Sequence, residues 1–255
     1  MNTPKFSRRD FIKVSGLAAA ATAYLQVTRQ AQASAPETGD GRQWAMVIDQ
    51  RKCVGCGYCV QACHAHNDIS PDISWNPVLP AGEVNGRPVF LPRPCMQCEE
   101  APCVEVCPVG ASYYRPDGIV AMNYDVCIGC RYCEVACPYG ARSFNWKEFS
   151  GENPAVPDWG QPEVARRPRG VPEKCSFCYQ RIDRGLELGL TPGVDAEASP
   201  SCVAACPTGA RAFGDLNDPD SPVSKILREN PTYRLREDLG TGPRVYYIAP
   251  EKENS

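Results

Sequence analysis

Apolar residues along this chain come in short, β-prone clusters rather than in long helical stripes. Trp44-Ala-Met-Val-Ile-Asp49, Ala111-Ser-Tyr-Tyr114, Ile119-Val-Ala-Met122, Ala141-Arg-Ser-Phe-Asn-Trp146, Ala210-Arg-Ala-Phe-Gly-Asp-Leu216 and Arg244-Val-Tyr-Tyr-Ile248 each read as a strand, being rich in β-branched and aromatic residues and bounded by turn formers. Arg115-Pro-Asp-Gly118 joins two of them as a turn, and Asn85-Gly86 marks a small hairpin over 83–90. Helical signals are few: one or two turns over Tyr58–Cys63, a segment over 177–188 with Phe177, Ile182 and Leu186 apolar, and Ser221–Glu229. Residues 64–94, 147–172 and 189–200 read as connections. In them His64 and His66 are ordinary loop histidines, Trp75 is packing, and Arg166-Arg-Pro-Arg169 is a solvated charge run.

Composition explains the shortness of these elements. The 255 residues include 25 prolines and 21 glycines, and the 43% hydrophobic content counts 16 cysteines, so the ordinary aliphatic core is thin. Such a chain depends on bound metal for its stability, because metal-binding energy becomes folding energy in small metallo-domains.

The N-terminus is a targeting segment. Ser7-Arg8-Arg9-Asp10-Phe11-Ile12-Lys13 resembles the twin-arginine (Tat) consensus, a mild apolar stretch covers Val14–Val27, and Ala31-Gln32-Ala33 offers a small-residue cleavage site. The apolar stretch is too short for a bilayer span, which needs about 20 residues. Residues 1–33 are therefore expected to be a Tat signal peptide, and the mature protein to be periplasmic. Tat export carries folded proteins, which suits a cofactor assembled on reduced thiols in the cytoplasm. Cleavage leaves 22 Lys/Arg against 29 Asp/Glu, a formal charge of −7 that argues against nucleic-acid binding. No apolar run of membrane-spanning length follows the signal, so no direct membrane span is expected.

The cysteines carry the chemistry. Cys127, Cys130, Cys133, Cys137 and Pro138 follow C-x2-C-x2-C-x3-C-P. This is the ferredoxin spacing in which three thiolates hold one 4Fe–4S cluster and the fourth reaches a neighbouring cluster. Cys53, Cys56, Cys59 and Cys63 repeat it with His64 in place of the proline. Cys95, Cys98, Cys103, Cys107 and Pro108 widen the middle gap, and Cys175, Cys178, Cys202, Cys206 and Pro207 widen it further. Four runs of four use every cysteine. Disulfides suit such triplets poorly, since three sulfurs share one loop, and four-thiolate zinc sites join two separated pairs with no use for the third cysteine.

The reciprocal fourth ligand predicts nested pairing. The second and third runs lie close together and form an inner module over 95–146. In it Cys95, Cys98, Cys103 and Cys137 hold one cluster, and Cys107, Cys127, Cys130 and Cys133 the other. The first and last runs then form an outer module over 44–94 plus 147–215. There Cys53, Cys56, Cys59 and Cys206 make one site, and Cys63, Cys175, Cys178 and Cys202 the last. Residues 216–255 are left as a C-terminal tail. The rival pairing, first run with second and third with fourth, needs the long proline-rich connections 64–94 and 138–174, against the rule of short connections.

Arg169-Gly-Val-Pro-Glu-Lys-Cys175-Ser-Phe-Cys178, Cys206-Pro-Thr-Gly-Ala210 and Phe213-Gly-Asp-Leu-Asn-Asp-Pro219, with the order of the four runs, resemble the iron–sulfur subunits of molybdopterin oxidoreductase complexes. Tetrathionate, polysulfide, dimethyl sulfoxide and formate systems use such subunits, and the resemblance spans 44–248. It implies an α+β, loop-rich fold of two pseudo-symmetric bacterial-ferredoxin-like domains carrying four 4Fe–4S clusters. It also implies two partners, a molybdopterin-type catalytic subunit and a polytopic quinone-linked membrane subunit of the polysulfide-reductase type. Cys130 stands where some members lose a cysteine, so four complete cubanes are expected. The lack of a C-terminal membrane helix favours a sulfur-compound branch.

The residues agree with electron transfer and no catalysis by the chain alone. No nucleophile elbow, dinucleotide turn or open metal triad is present, and every cluster has four thiolates. Lys52, Arg131 and Lys174 adjoin ligands and are candidates for raising a potential. Two other readings stay open: a soluble periplasmic polyferredoxin shuttle, and the iron–sulfur subunit of a membrane complex tied to sulfur oxidation or sulfite reduction.

Overall fold

The strand β1 (Trp44–Asp49) is buried along its whole length, so both of its edges and both of its faces must be covered. In the computed structural model, which describes residues 41–158 and 160–251, the edges go to strands from the far end of the chain. β8 (Arg211–Asp215) pairs antiparallel with β1 from Trp44↔Asp215 to Ile48↔Arg211. β10 (Val245–Ile248) pairs in parallel from Met46↔Val245 to Asp49↔Ile248. β9 (Tyr233–Arg234) adds the outer strand, giving the order β8-β1-β10-β9. The alternation in β1 sorts its faces. Ala45 and Val47 pack with Val223 and Ile248 under α6 (Pro222–Glu229), which is capped by the Ser221 hydroxyl accepting from Ser224 N–H at 3.1 Å. Met46 and Ile48 turn to the other side, toward Phe213, Tyr247 and the cysteines.

Three two-stranded sheets surround this one. β2 (Val78–Val84) and β3 (Arg87–Pro92) form the hairpin, with left-handed Asn85 and Gly86 at its turn. β4 (Ser112–Tyr114) pairs with β5 (Val120–Met122). The strand expected over 141–146 shrinks to β6 (Ser143–Phe144), because its partner β7 (Pro172–Glu173) offers only two residues.

The helices are short for a local reason. α2 (Pro102–Glu105), α3 (Tyr132–Val135) and α5 (Ser201–Ala204) each stop just before a Cys-Pro pair, where proline lacks the N–H and constrains the residue ahead of it. The first run has His64 at that position, and its helix α1 (Tyr58–Asn67) runs on for ten residues. His64 and His66 therefore lie in a helix rather than in a loop, and His66 Nδ1 sits 2.9 Å from Glu163 Oε1. α4 (Tyr179–Glu187) completes the set.

Two further expectations are corrected. The segment 216–255 is no appendage, since it supplies α6, β9 and β10. The basic run 166–169 is not a solvated patch: Arg166 clamps Asp68 through 2.9 and 3.0 Å hydrogen bonds, and Arg167 is buried, leaving Arg169 exposed. The targeting segment lies outside the described residues.

Candidate metal centres

In all four runs the residue before the second cysteine adopts a left-handed backbone. Gly55, Gln97, Gly129 and Phe177 have φ of +70°, +49°, +70° and +55°. This conformation curls the C-x2-C segment so that successive N–H groups point to one side, the concave arrangement that binds anionic groups. Close packing fixes two of these turns: a Cβ on Gly129 would lie 2.3 Å from the Gly170 carbonyl oxygen, and one on Gly55 2.5 Å from the Phe90 ring.

The turns bring cysteines from separate runs together. Cys95, Cys98, Cys103 and Cys137 line one cleft of about 350 Å³, together with Met96, Tyr139 and Arg142. Cys53, Cys56, Cys59 and Cys206 line another of about 340 Å³, with Val78, Thr208 and Arg211. Cys63 lies with Cys178, Cys175 and Cys202 near enough for their charges to act on it. Cys133 is felt by Cys103 and then by Cys107, and Cys127 and Cys130 precede it in the chain.

The donor chemistry suits a multinuclear iron–sulfur group. All sixteen cysteines are free thiols. Among the described residues no three His, Cys, Asp or Glu side chains converge on a single-ion site, as a mononuclear four-thiolate zinc site would require. Burial pushes the Cys98 thiol up to about 12 and the Cys202 thiol up to about 11. Thiols held so far from ionisation become ligands only when a metal takes their protons' place. Cys206 differs. Burial raises it, but hydrogen bonds from Thr208 and Ala210 outweigh that and leave it below its ordinary value. Polar groups approach the other sulfurs: Ser112 N–H reaches Cys107 Sγ at 3.4 Å, Phe177 N–H reaches Cys175 Sγ at 3.4 Å, and Asn67 Nδ2 reaches Cys178 Sγ at 3.6 Å.

Exposure differs among the cysteines. Cys56 and Cys130 are exposed, whereas Cys63, Cys175, Cys178 and Cys202 are all buried. Gln97, wholly buried, ties two groups together: its Nε2 donates to Cys175 O at 2.8 Å and its Oε1 accepts from Val120 N–H at 2.9 Å.

Of the three candidate tuning cations, Lys174 alone is buried, and its Nζ is engaged by the carbonyls of Val120 and Cys175. Lys52 is largely exposed beside Asp49. Arg131 pairs with Glu134 at 2.7 Å and stacks on Trp146. Sequence reasoning missed Arg142 and Arg211. Arg142 Nη2 lies 3.0 Å from Cys103 Sγ, and Arg211 lies 3.6 Å from both Cys59 Sγ and Cys202 Sγ. The signal was present: each is an arginine five residues after the cysteine of a C-P-x-G-A sequence, Arg142 just before β6 and Arg211 at the start of β8.

Comparison with known proteins agrees with this chemistry. A 4Fe-4S dicluster domain family matches residues 52–111 and 126–210, a second family of the same description matches 87–153, and the TAT (twin-arginine translocation) pathway signal sequence family matches 5–23. A protein of Halobacterium salinarum named as a putative iron-sulfur subunit of dimethyl sulfoxide reductase is 43% identical over 82% of this chain and 79% of its own length. A selenate reductase subunit of Mesobacillus selenatarsenatis is 43% identical over 81% of this chain and 72% of its own. The menaquinone reductase iron-sulfur cluster-binding subunit of Nitratidesulfovibrio vulgaris is 42% identical over 81% and 89%. The chain thus belongs to the 4Fe-4S dicluster family, among the iron–sulfur, electron-transferring subunits of oxidoreductase complexes rather than their catalytic components.

Proposed function

We propose that this protein is a periplasmic electron-transfer subunit with four 4Fe–4S clusters, relaying electrons between a quinone-linked membrane subunit and a molybdopterin-type catalytic subunit in the respiration of sulfur compounds or related acceptors. The observation that carries the reading is the grouping of the cysteines, with two complete sets of four each lining its own cleft. Cys53, Cys56, Cys59 and Cys206 would hold the first cluster, and Cys63, Cys175, Cys178 and Cys202 the second. Cys95, Cys98, Cys103 and Cys137 would hold the third, and Cys107, Cys127, Cys130 and Cys133 the fourth. The fold is then two pseudo-symmetric ferredoxin-like domains: an inner one over 95–146, and an outer one over 44–94 and 147–215 that also takes in β9 and β10. The repeated left-handed turns and the repeated arginines support this symmetry.

The clusters supply one-electron chemistry; the chain holds, spaces and insulates them. The sets order as first, second, third, fourth. Cys175 and Cys95 face each other across the domain boundary beside Gln97, and exposed cysteines occur in the first and fourth sets. Exposed apolar residues surround both ends: Val54 and Tyr58 near Cys56, and Ile128, Tyr132, Val135 and Trp146 near Cys130. A free shuttle would gain nothing from such collars, which suit permanent partners. The relatives named as subunits of reductases point the same way.

The test is iron and acid-labile sulfide per chain on anaerobically purified protein, with EPR after dithionite reduction. About sixteen of each, with interacting cubane signals, supports the relay. About twelve irons, or a 3Fe–4S signal in the oxidised protein, overturns the four-cubane assignment. Co-purification with a large cofactor-bearing subunit separates the relay from the shuttle.

A further inference from the structure

Two guanidinium groups are buried among the cysteines, and their hydrogen-bonding neighbours are sulfur atoms and one amide. Arg142 is 4% exposed; its Nη2 donates to Cys103 Sγ at 3.0 Å, its Nη1 lies 2.9 Å from Met122 Sδ, and its Nε has no partner. Arg211 is 5% exposed. Its Nη1 lies 3.6 Å from Cys202 Sγ and 3.5 Å from Met46 Sδ; its Nη2 lies 3.6 Å from Cys59 Sγ and donates to Asn76 Oδ1 at 2.8 Å. The thioethers accept weakly and bring no charge. A buried cation without a counter-charge costs far more than these hydrogen bonds return. The missing anion has to be something the thiols hold.

The sulfurs each arginine meets belong to different sets. Cys59 and Cys202 fall in the first and second. Cys103 falls in the third, and Cys133, of the fourth, is the next sulfur whose charge acts on Arg142. Burial works against the charge of both guanidiniums, and the sulfurs reverse it: Cys103 then Cys133 for Arg142, and Cys202 then Cys59 for Arg211. Each domain has one such arginine. At the same spacing after the last cysteine of the other two runs stand Asp68 and Ser112.

We propose that Arg142 and Arg211 are shared counter-cations, each lying between the two iron–sulfur clusters of one domain and raising the reduction potential of both. The proposal rests on the four-cluster reading above. An oxidised cubane with four thiolates carries about two negative charges, and reduction adds one more. A fixed positive charge between two such groups stabilises the added electron on either one, and so keeps the pair close in potential. Arginine keeps its proton at any accessible pH, so an electron crosses the pair without a coupled proton. Lys174 cannot serve in this way, because its ammonium is committed to backbone carbonyls at the domain boundary.

The experiment is a potentiometric EPR titration of the anaerobic full-length holoprotein and three variants, each assayed for iron. Arg211→Gln should lower two of the four midpoint potentials and leave two unmoved, and Arg142→Gln should lower the complementary two. Asn76→Asp keeps the arginine and its packing but places a carboxylate against Nη2, so it should lower the same pair as Arg211→Gln. It decides the matter for Arg211 if the glutamine variant loses iron. Potentials unmoved in Asn76→Asp and Arg142→Gln, a shift in only one cluster per arginine, or an equal shift in all four would overturn the proposal. A wild-type count near twelve irons would instead overturn the four-cluster reading, so the two failures are distinct.

Discussion

Replacing Arg167 by methionine should destabilise the holoprotein by about 3–5 kcal/mol, the cost of leaving a buried partner charge uncompensated. The side chains of Arg167 and Glu173 are 4% and 3% exposed, so solvent screening gives little relief. Glu173 accepts from Arg167 Nη2 at 2.9 Å, from Trp75 Nε1 at 3.1 Å and from Asn145 Nδ2. Arg167 also donates to the carbonyls of Asn67, Ala165 and Asp68 at 2.5, 3.0 and 3.0 Å, and lies over the Trp75 ring. Methionine retains the ring contact and loses the charge and the donors. The network joins α1, the 64–94 connection, the end of the inner module and the strand leading into Cys175, so it should break when the clusters are released. Because cluster loss is irreversible, the readout is a rate: decay of the visible cluster absorption in guanidinium with an iron chelator. At tenfold per 1.4 kcal/mol, the variant should decay about a hundred- to several-thousand-fold faster. Adding Glu173→Gln removes the stranded charge and leaves an acceptor, and should recover at least about tenfold. Decay of Arg167→Met within about threefold of wild type, or a double variant faster than the single, would refute the reasoning.

Two glycines with the same backbone conformation should respond differently to alanine. Gly129→Ala meets the Gly170 carbonyl oxygen and should cost about a quarter of the bound iron, whereas Gly57→Ala enters open space, costs about 1–2 kcal/mol for the left-handed backbone, and should keep its full complement. Iron per chain reads both. Removing iron anaerobically should abolish most of the native circular dichroism, since the aliphatic core is thin; a near-native spectrum of the apo-protein would show that the packing stands without metal.

Local chemistry was readable from the sequence, and remote partners were not. The cysteine spacing, β1, the Asn85-Gly86 hairpin and the helix beginning near Ser221 are signals contained within a few residues. The insertion of β10 between β1 and β9 is not such a signal, because alternation tells a strand which face to bury and not which edge it meets. Arg166-Arg-Pro-Arg169 shows the same limit. Its three arginines divide into a clamp on Asp68, a buried partner for Glu173 and an exposed terminus, according to what lies opposite. The length of α1 was legible in principle, since His64 stands where the other runs place a proline. Arg142 and Arg211 were written twice at one offset from a cysteine, but only the fold shows which sulfurs they reach.

The parallel pairing of β1 with β10 also sets a timetable for synthesis. Met46 waits for Val245, and Cys53 for Cys206, while the inner run of cysteines from 95 to 137 is complete much earlier. At about 5–20 residues per second the first strand spends on the order of 10–40 s without its neighbours. The cysteines from 95 to 137 can meet metal early in translation, but β1 gains its parallel neighbour only once residue 248 has been made. A ribosome stalled shortly before residue 240 would therefore release a chain that has all sixteen cysteines but an open edge on β1, where a second chain could pair.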